Sequence, residues 1–153
     1  MLGNRMQVAL PNDILIGEVG RLLDGGKDVV LMTKGNSMLP FIIGERDSVL
    51  LRREQELREG DIVLAEVGKS RFVLHRIVKI EGENVTLRGD GNIRGREKCL
   101  RKDILGTVIE IQAPSGKGRK PGRARVWRRL GAFPRRCILA VYRRTVLKII
   151  KAK

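Results

Sequence analysis

The sequence predicts a mainly β domain of antiparallel strands, preceded by one helix and followed by a basic helical tail. Three observations carry this reading. Hydrophobic residues make up 42% of the chain and aromatics only 3%, so the core must be built from Val, Ile and Leu, and the β-branched share favours strands. The strand-like runs follow one another through short polar separators, such as Gly68-Lys69-Ser70 and Glu81 to Glu83, as hairpins require. No strand alternates with a long helix, which disfavours a parallel doubly wound sheet. With 153 residues, one domain with a real core is expected.

In chain order, Pro11-Asn12-Asp13 can cap a helix over 13–24, with Ile14, Leu15, Val19, Leu22 and Leu23 near one face. Asp24-Gly25-Gly26 ends it. Strands are predicted at 28–33, 48–53, 61–67, 71–80, 84–89 and 103–111. Asp61 closes a turn before the third. From Pro114 the character changes: "PSGKGRKPGR" reads as a flexible basic linker. A short helix is predicted over 124–130, a break at Gly131 and Pro134, and a second helix over 135–151. On that helix Ile138, Leu139, Tyr142, Val146, Ile149 and Ile150 share one arc, and Arg143, Arg144, Lys148 and Lys151 the other. The expected organisation is an N-terminal helical segment (1–27), a β domain (28–112) and a basic linker with an amphipathic tail (113–153).

Charge follows the same division. Residues 1–110 hold 18 Lys and Arg against 17 Asp and Glu, whereas residues 111–153 hold 14 Lys and Arg and no acid. Attraction to an anionic membrane surface or an acidic partner therefore belongs to residues 114–153. The tail would also bind nucleic acid nonspecifically, but few aromatics are available for base stacking, so nucleic acid is the less favoured partner. Cys99 and Cys137 lack metal-ligand spacing, and with a single histidine no metal site or cofactor is expected. Two free thiols are favoured over one disulfide. The N-terminus has no apolar h-region, and no apolar run approaches the ~20 residues of a spanning helix. A cytoplasmic protein is expected, with peripheral association at the inner membrane face left open.

The stretch "GNSMLP" (35–40) follows a predicted strand directly. A serine hydroxyl attacks a carbonyl only when a base takes its proton and N–H groups receive the oxyanion. Gly35 permits a sharp turn, Pro40 restrains the exit, and Met38, Phe41 and Ile42 can anchor the segment or line a groove. The base candidate is His75, the only histidine. Strand alternation places it with Val73 and Ile77, and turns Arg76 to the other face with Leu74 and Val78. A turn serine and a structural strand histidine would fit the same spacing.

The set "GNSMLP" (35–40), "GDIVLAE" (60–66), "VLHRIV" (73–78) and "LRGDGN" (87–92), in that order, resembles the catalytic core of type I signal peptidases. It is most similar to the archaeal and endoplasmic-reticulum branch, which pairs Ser with His. The wider superfamily, including LexA-type self-cleaving repressors, uses Lys at the histidine's position. The resemblance covers roughly residues 29–110 and implies a coiled antiparallel β-sheet domain acting as a serine endopeptidase. It implies Ser37 as nucleophile and oxyanion N–H donor, His75 as general base, and Asp90 as the acid supporting the histidine. A second downstream acid is usual in that branch, and Asp103 is its candidate here. Met38 and Pro40 would contact an extended peptide or protein substrate with small apolar side chains before the cleaved bond. In many bacterial relatives a hydroxyl two residues before the nucleophile helps hold the oxyanion, and here that position is Gly35. Signal peptidases are membrane-anchored, so processing of a leader peptide is as open as processing of a signal peptide. The alternatives are a LexA-like regulator and a non-catalytic peptide-binding module. Only about 28 residues precede the β unit, too few for a helix-turn-helix domain, and the chain has no Ala-Gly or Cys-Gly pair, the self-cleavage sites typical of those repressors.

Overall fold

The computed structural model describes residues 12–151, with side chains described from 14 to 149. The capping group proposed at 11–13 and the side chain of Ile150 lie outside the described residues. Helix α1 spans Asn12–Asp24. It buries Leu15, Ile16, Val19, Leu22 and Leu23, while Ile14 points to solvent. The apolar stripe thus runs through Ile16 rather than Ile14, because three- and four-residue steps from Val19, Leu22 and Leu23 return to 15, 16 and 19. Gly25 and Lys27 donate back to the Arg21 and Leu22 carbonyls and close the helix.

Seven strands then form the main sheet: β1 Val29–Met32, β2 Ser48–Arg52, β3 Ile62–Val67, β4 Arg71–Glu81, β5 Asn84–Arg88, β6 Glu97–Leu100 and β7 Ile104–Gln112. Their order is β1-β2-β7-β3-β4-β5-β6, with antiparallel neighbours throughout. The six predicted strands all form. β6 was not predicted, because "EKCL" is charged and brief. Register shifts interrupt β2–β7 at Leu50/Leu51, β3–β7 at Leu64/Ala65 and β4–β5 at Ile77/Lys79. Such bulges sharpen the twist, and the sheet curls until β6 approaches β3. Asp61 closes its turn as expected, its carboxylate accepting from the Arg58 N–H at 2.9 Å. One apolar cluster fills the sheet face under α1, including Val19, Leu23, Leu51 and Ile62. A second, with Val63, Ile77, Leu87 and Cys99, fills the curl.

The basic segment is not a free linker. Its strand β8, Gly118–Arg119, pairs with the end of β7, and the Gly122 carbonyl accepts from Arg76 Nη1 at 2.9 Å. Helix α2 spans Arg125–Arg129 and helix α3 Ala132–Lys151. The break falls at Gly131, and Pro134 sits in the first turn of α3, where its missing N–H costs nothing. Trp127, Leu139 and Leu147 bury against Leu39 and Ile43, just after the Ser37 turn. The buried face of α3 therefore includes Leu147, whereas Ile138 and Ile149 of the predicted arc are exposed. Apolar residues lie on several sides of this helix, so periodicity alone could not orient it.

Candidate active site

The Ser37 turn leaves β1 at Thr33 and returns to β2 at Ser48. Its neck is closed by polar bonds: Thr33 N and Oγ1 both donate to the Asp47 carbonyl, at 3.1 and 2.7 Å. The fully buried Asp47 carboxylate accepts from the Ile43 N–H at 2.9 Å and from Arg46. Gly35 has φ +75°, a left-handed conformation that side chains resist. Leu39–Pro40 is a cis peptide. Met38 is buried under the turn, its sulfur accepting from the Asp90 N–H at 3.5 Å.

The loop after β5 lies directly on this turn. Gly91 N–H donates to the Ser37 carbonyl at 2.8 Å. A side chain at Gly89 would be driven into that same carbonyl and would stand 3.1 Å from His75 Nε2. Only glycine lets the two loops and the ring meet so closely. Ser37 and His75 line one cleft of about 580 Å³. Its walls are apolar, from α1 (Leu15, Ile16), β1 (Leu31, Met32) and β4 (Phe72, Leu74). Among the described residues, neither the Ser37 hydroxyl nor its N–H has a hydrogen-bond partner in the protein.

His75 is buried, and its Nδ1 lies 2.9 Å from Glu97 Oε2 on β6. A carboxylate only accepts, so Nδ1 is the donor to Glu97, and Nε2 is the ring nitrogen that faces Gly89 and the Ser37 turn. Arg71 reaches the other Glu97 oxygen at 3.3 Å. One residue along β4, Arg76 points inward and is fully buried. Its Nε and Nη2 grip the Asp90 carboxylate at 2.7–3.1 Å, and its Nη1 donates to the Gly60 and Gly122 carbonyls. Trp127 Nε1 caps the Asp90 carbonyl at 2.9 Å.

The profile of the Peptidase S24-like family matches residues 4–109. The chain belongs to this family. Its fold is that of the family: a curled antiparallel sheet with a helix at each end. Membership places the chain among serine peptidases and LexA-like regulators. A search of curated proteins found no match to the chain.

Within this S24-like domain the residues singled out from the sequence divide into two groups. Ser37, His75 and Met38 share the cleft, with Gly35 contributing only backbone. Pro40 does not line it. Asp90 and Asp103 do not meet the histidine. The Asp90 carboxylate is engaged by Arg76, since alternation on β4 buries that guanidinium where it must find an acid. Asp103 accepts from the Leu100 N–H at 2.8 Å and closes a 3₁₀ turn over Arg101–Asp103. The acid on His75 is Glu97, which the sequence reading missed along with β6. A signal for it exists: it is the only acid between Asp90 and Asp103. Both cysteines are free, Cys99 buried and Cys137 exposed. Burial, helped by the Asp103 charge, raises the Cys99 thiol to about 11, which leaves it unreactive near neutral pH. Among the described residues no cluster of His, Cys, Asp and Glu could hold a metal ion.

Proposed function

We propose that the chain is a serine endopeptidase of the Ser-His type, with Ser37 as nucleophile, His75 as general base and Glu97 as the residue that fixes the ring. The carrying observation is the histidine's orientation: Nδ1 is committed to a carboxylate while Nε2 faces the serine turn across a glycine. A structural histidine on an apolar face would not need an acid behind it and an open nitrogen before it.

The substrate is an extended peptide. Among the described residues β1 pairs only with β2, and the Arg71–His75 half of β4 pairs only with β3. Both free edges border the cleft, so a peptide strand can hydrogen-bond between them and seat apolar side chains against Met32, Phe72 and Leu74. Ser37 Oγ attacks the scissile carbonyl carbon as its proton passes to His75 Nε2. The Ser37 N–H receives the developing oxyanion. The protonated ring gives its proton to the leaving amine, and water then repeats the sequence on the acyl-enzyme. Removal of a signal or leader peptide fits this chemistry. Among the described residues no helix is long and apolar enough to cross a membrane. The outward side of α3 exposes Phe133, Val141 and Ile149 beside Arg136, Arg144 and Lys148. That combination supports peripheral docking on anionic lipid from the cytoplasmic side.

The test is incubation of wild type and Ser37→Ala with a peptide library and with a serine-reactive fluorophosphonate. Wild-type cleavage and labelling that both vanish in Ser37→Ala are expected. Folded wild type that cuts nothing and takes no label would overturn the assignment.

A further inference from the structure

Strand alternation gives the catalytic cleft an inner face. Phe72 and Leu74 share one face of β4, and His75 lies on the other. Leu74 stands opposite Leu64 of β3, which is buried in the apolar cluster under α1. On β1, Val29 belongs to that cluster and Leu31, two residues on, packs against it. Leu31, Phe72 and Leu74 all pack on this cluster, yet each stays only partly buried. Leu15 and Ile16, in the first half of α1, line the same cleft, and α1 lies against both β1 and β4. The two free strand edges are therefore the walls of the cleft, and the helix is its floor.

The size of this space bears on what fills it. An apolar cavity of about 150 Å³ already holds a benzene-sized group. The cleft measures about 580 Å³, with room for more than one side chain of that size. A methyl group set over the floor would leave gaps whose lining atoms lack contacts on one side. A branched side chain would fill them and would cover Leu31, Phe72 and Leu74, each buried methylene adding to the gain.

We infer that the cleft selects a peptide with bulky aliphatic side chains at alternate positions beside the cleaved bond, and that α1 sets their size through Leu15 and Ile16. The inference rests on the peptidase reading above and adds a substrate class to it. A strand seated between β1 and β4 turns every second side chain toward α1. Residues i and i+2 of the substrate then meet the apolar floor, and the residue between them turns to the face of His75. This departs from the small side chains that the resemblance implies. Selection of alanine needs a wall close behind the substrate backbone, and here the wall on that side is a separate helix.

The experiment compares kcat/KM of the full chain on peptide pairs that differ at one position, Leu against Ala, scanned along the residues beside the cleaved bond. Leu should be preferred at two positions two residues apart, by about 10- to 100-fold at each, with little preference at the position between them. Leu15→Ala and Ile16→Ala deepen the floor and should raise the Phe-to-Leu ratio at one of these positions by about 10-fold. A ratio of two substrates on one enzyme does not depend on the folded fraction, so a destabilised variant still reports. Ile14→Ala, on the exposed side of α1, should leave the ratio unchanged. Should both alanine variants fail to fold, Ile16→Val decides by the same ratio. Preference for Ala at both positions, or ratios that no floor variant moves, would overturn the inference. Binding then separates it from the peptidase reading. Ser37→Ala is titrated with a fluorescent peptide carrying leucine at alternate positions and with its alanine counterpart. Tighter binding of the leucine peptide, with no cleavage by wild type, keeps the selectivity and removes the peptidase; cleavage without size preference does the reverse.

Discussion

His75 and Arg76 are neighbours on one strand, and each has its own acid. His75 turns to the cleft and meets Glu97 at 2.9 Å; Arg76 turns inward and meets Asp90 at 2.7 Å. The contacts look alike and do different work. The Arg76–Asp90 pair is sealed, with side chains 0% and 3% exposed, and it anchors the loop that presses on the Ser37 carbonyl. The His75–Glu97 pair borders the cleft, with Glu97 17% exposed, and it leaves one imidazole nitrogen open. One pair fixes geometry, and the other presents a base. Function follows from which face of the strand a side chain occupies, not from the presence of an acid nearby.

Substitutions can pull the two pairs apart. His75→Ala should lower kcat/KM about 10⁴- to 10⁶-fold in peptide cleavage, with far-UV circular dichroism unchanged. Asp90→Asn should act first on stability. It leaves a buried guanidinium without its counter-charge, at about 3–5 kcal/mol, so the thermal midpoint should fall by on the order of 10 °C. A double replacement, Arg76→Met with Asp90→Leu, should lose less stability than Asp90→Asn alone. Were Asp90→Asn to unfold at the wild-type temperature while cleavage fell as far as in His75→Ala, the assignment of the two acids would have to be exchanged.

Glu97→Gln is the sharper probe. An amide can still touch Nδ1 but need not hold it as donor, and it offers no negative charge to the protonated ring. Cleavage should fall about 10²- to 10⁴-fold. Stability should change by less than about 1 kcal/mol, because the pair is partly solvated. Loss of midpoint without loss of rate would assign Glu97 to the sheet and not to the site.

These two acids also show how far the sequence could be read. The serine turn, the histidine strand and the Gly-Asp-Gly loop were legible because each sits on or beside a strand whose alternation or turn residues are strong. Alternation already put Arg76 opposite His75. An inward-facing arginine must find a carboxylate, and Asp90, in the loop at the end of the paired strand, was the one within reach. That argument could have freed His75 to look elsewhere. Its true partner was hidden because β6 carries Glu97 and Lys98 in four residues and shows no apolar period; it exists through pairing with β5, a long-range gain invisible to local pattern. Helix α3 failed differently. Having apolar residues on more than one side, it could be oriented only by its partners, Leu39 and Ile43.

The smallest of the expected effects tests whether the tail belongs to the site's frame. Trp127 donates its indole N–H to the Asp90 carbonyl and meets Phe41 edge-on, with ring centroids 6.0 Å apart. Trp127→Phe keeps most of the apolar volume and an aromatic ring, and removes one buried hydrogen bond. Its cost should be about 1 kcal/mol, read as 2–4 °C in the thermal midpoint by the usual scaling of about 2–4 °C per kcal/mol. Because the Asp90 carboxylate stays on Arg76, kcat/KM should fall only a few-fold. A loss as deep as that of Glu97→Gln would mean that α2 sets the position of the Gly89–Asn92 loop, and that the basic segment is part of the catalytic unit.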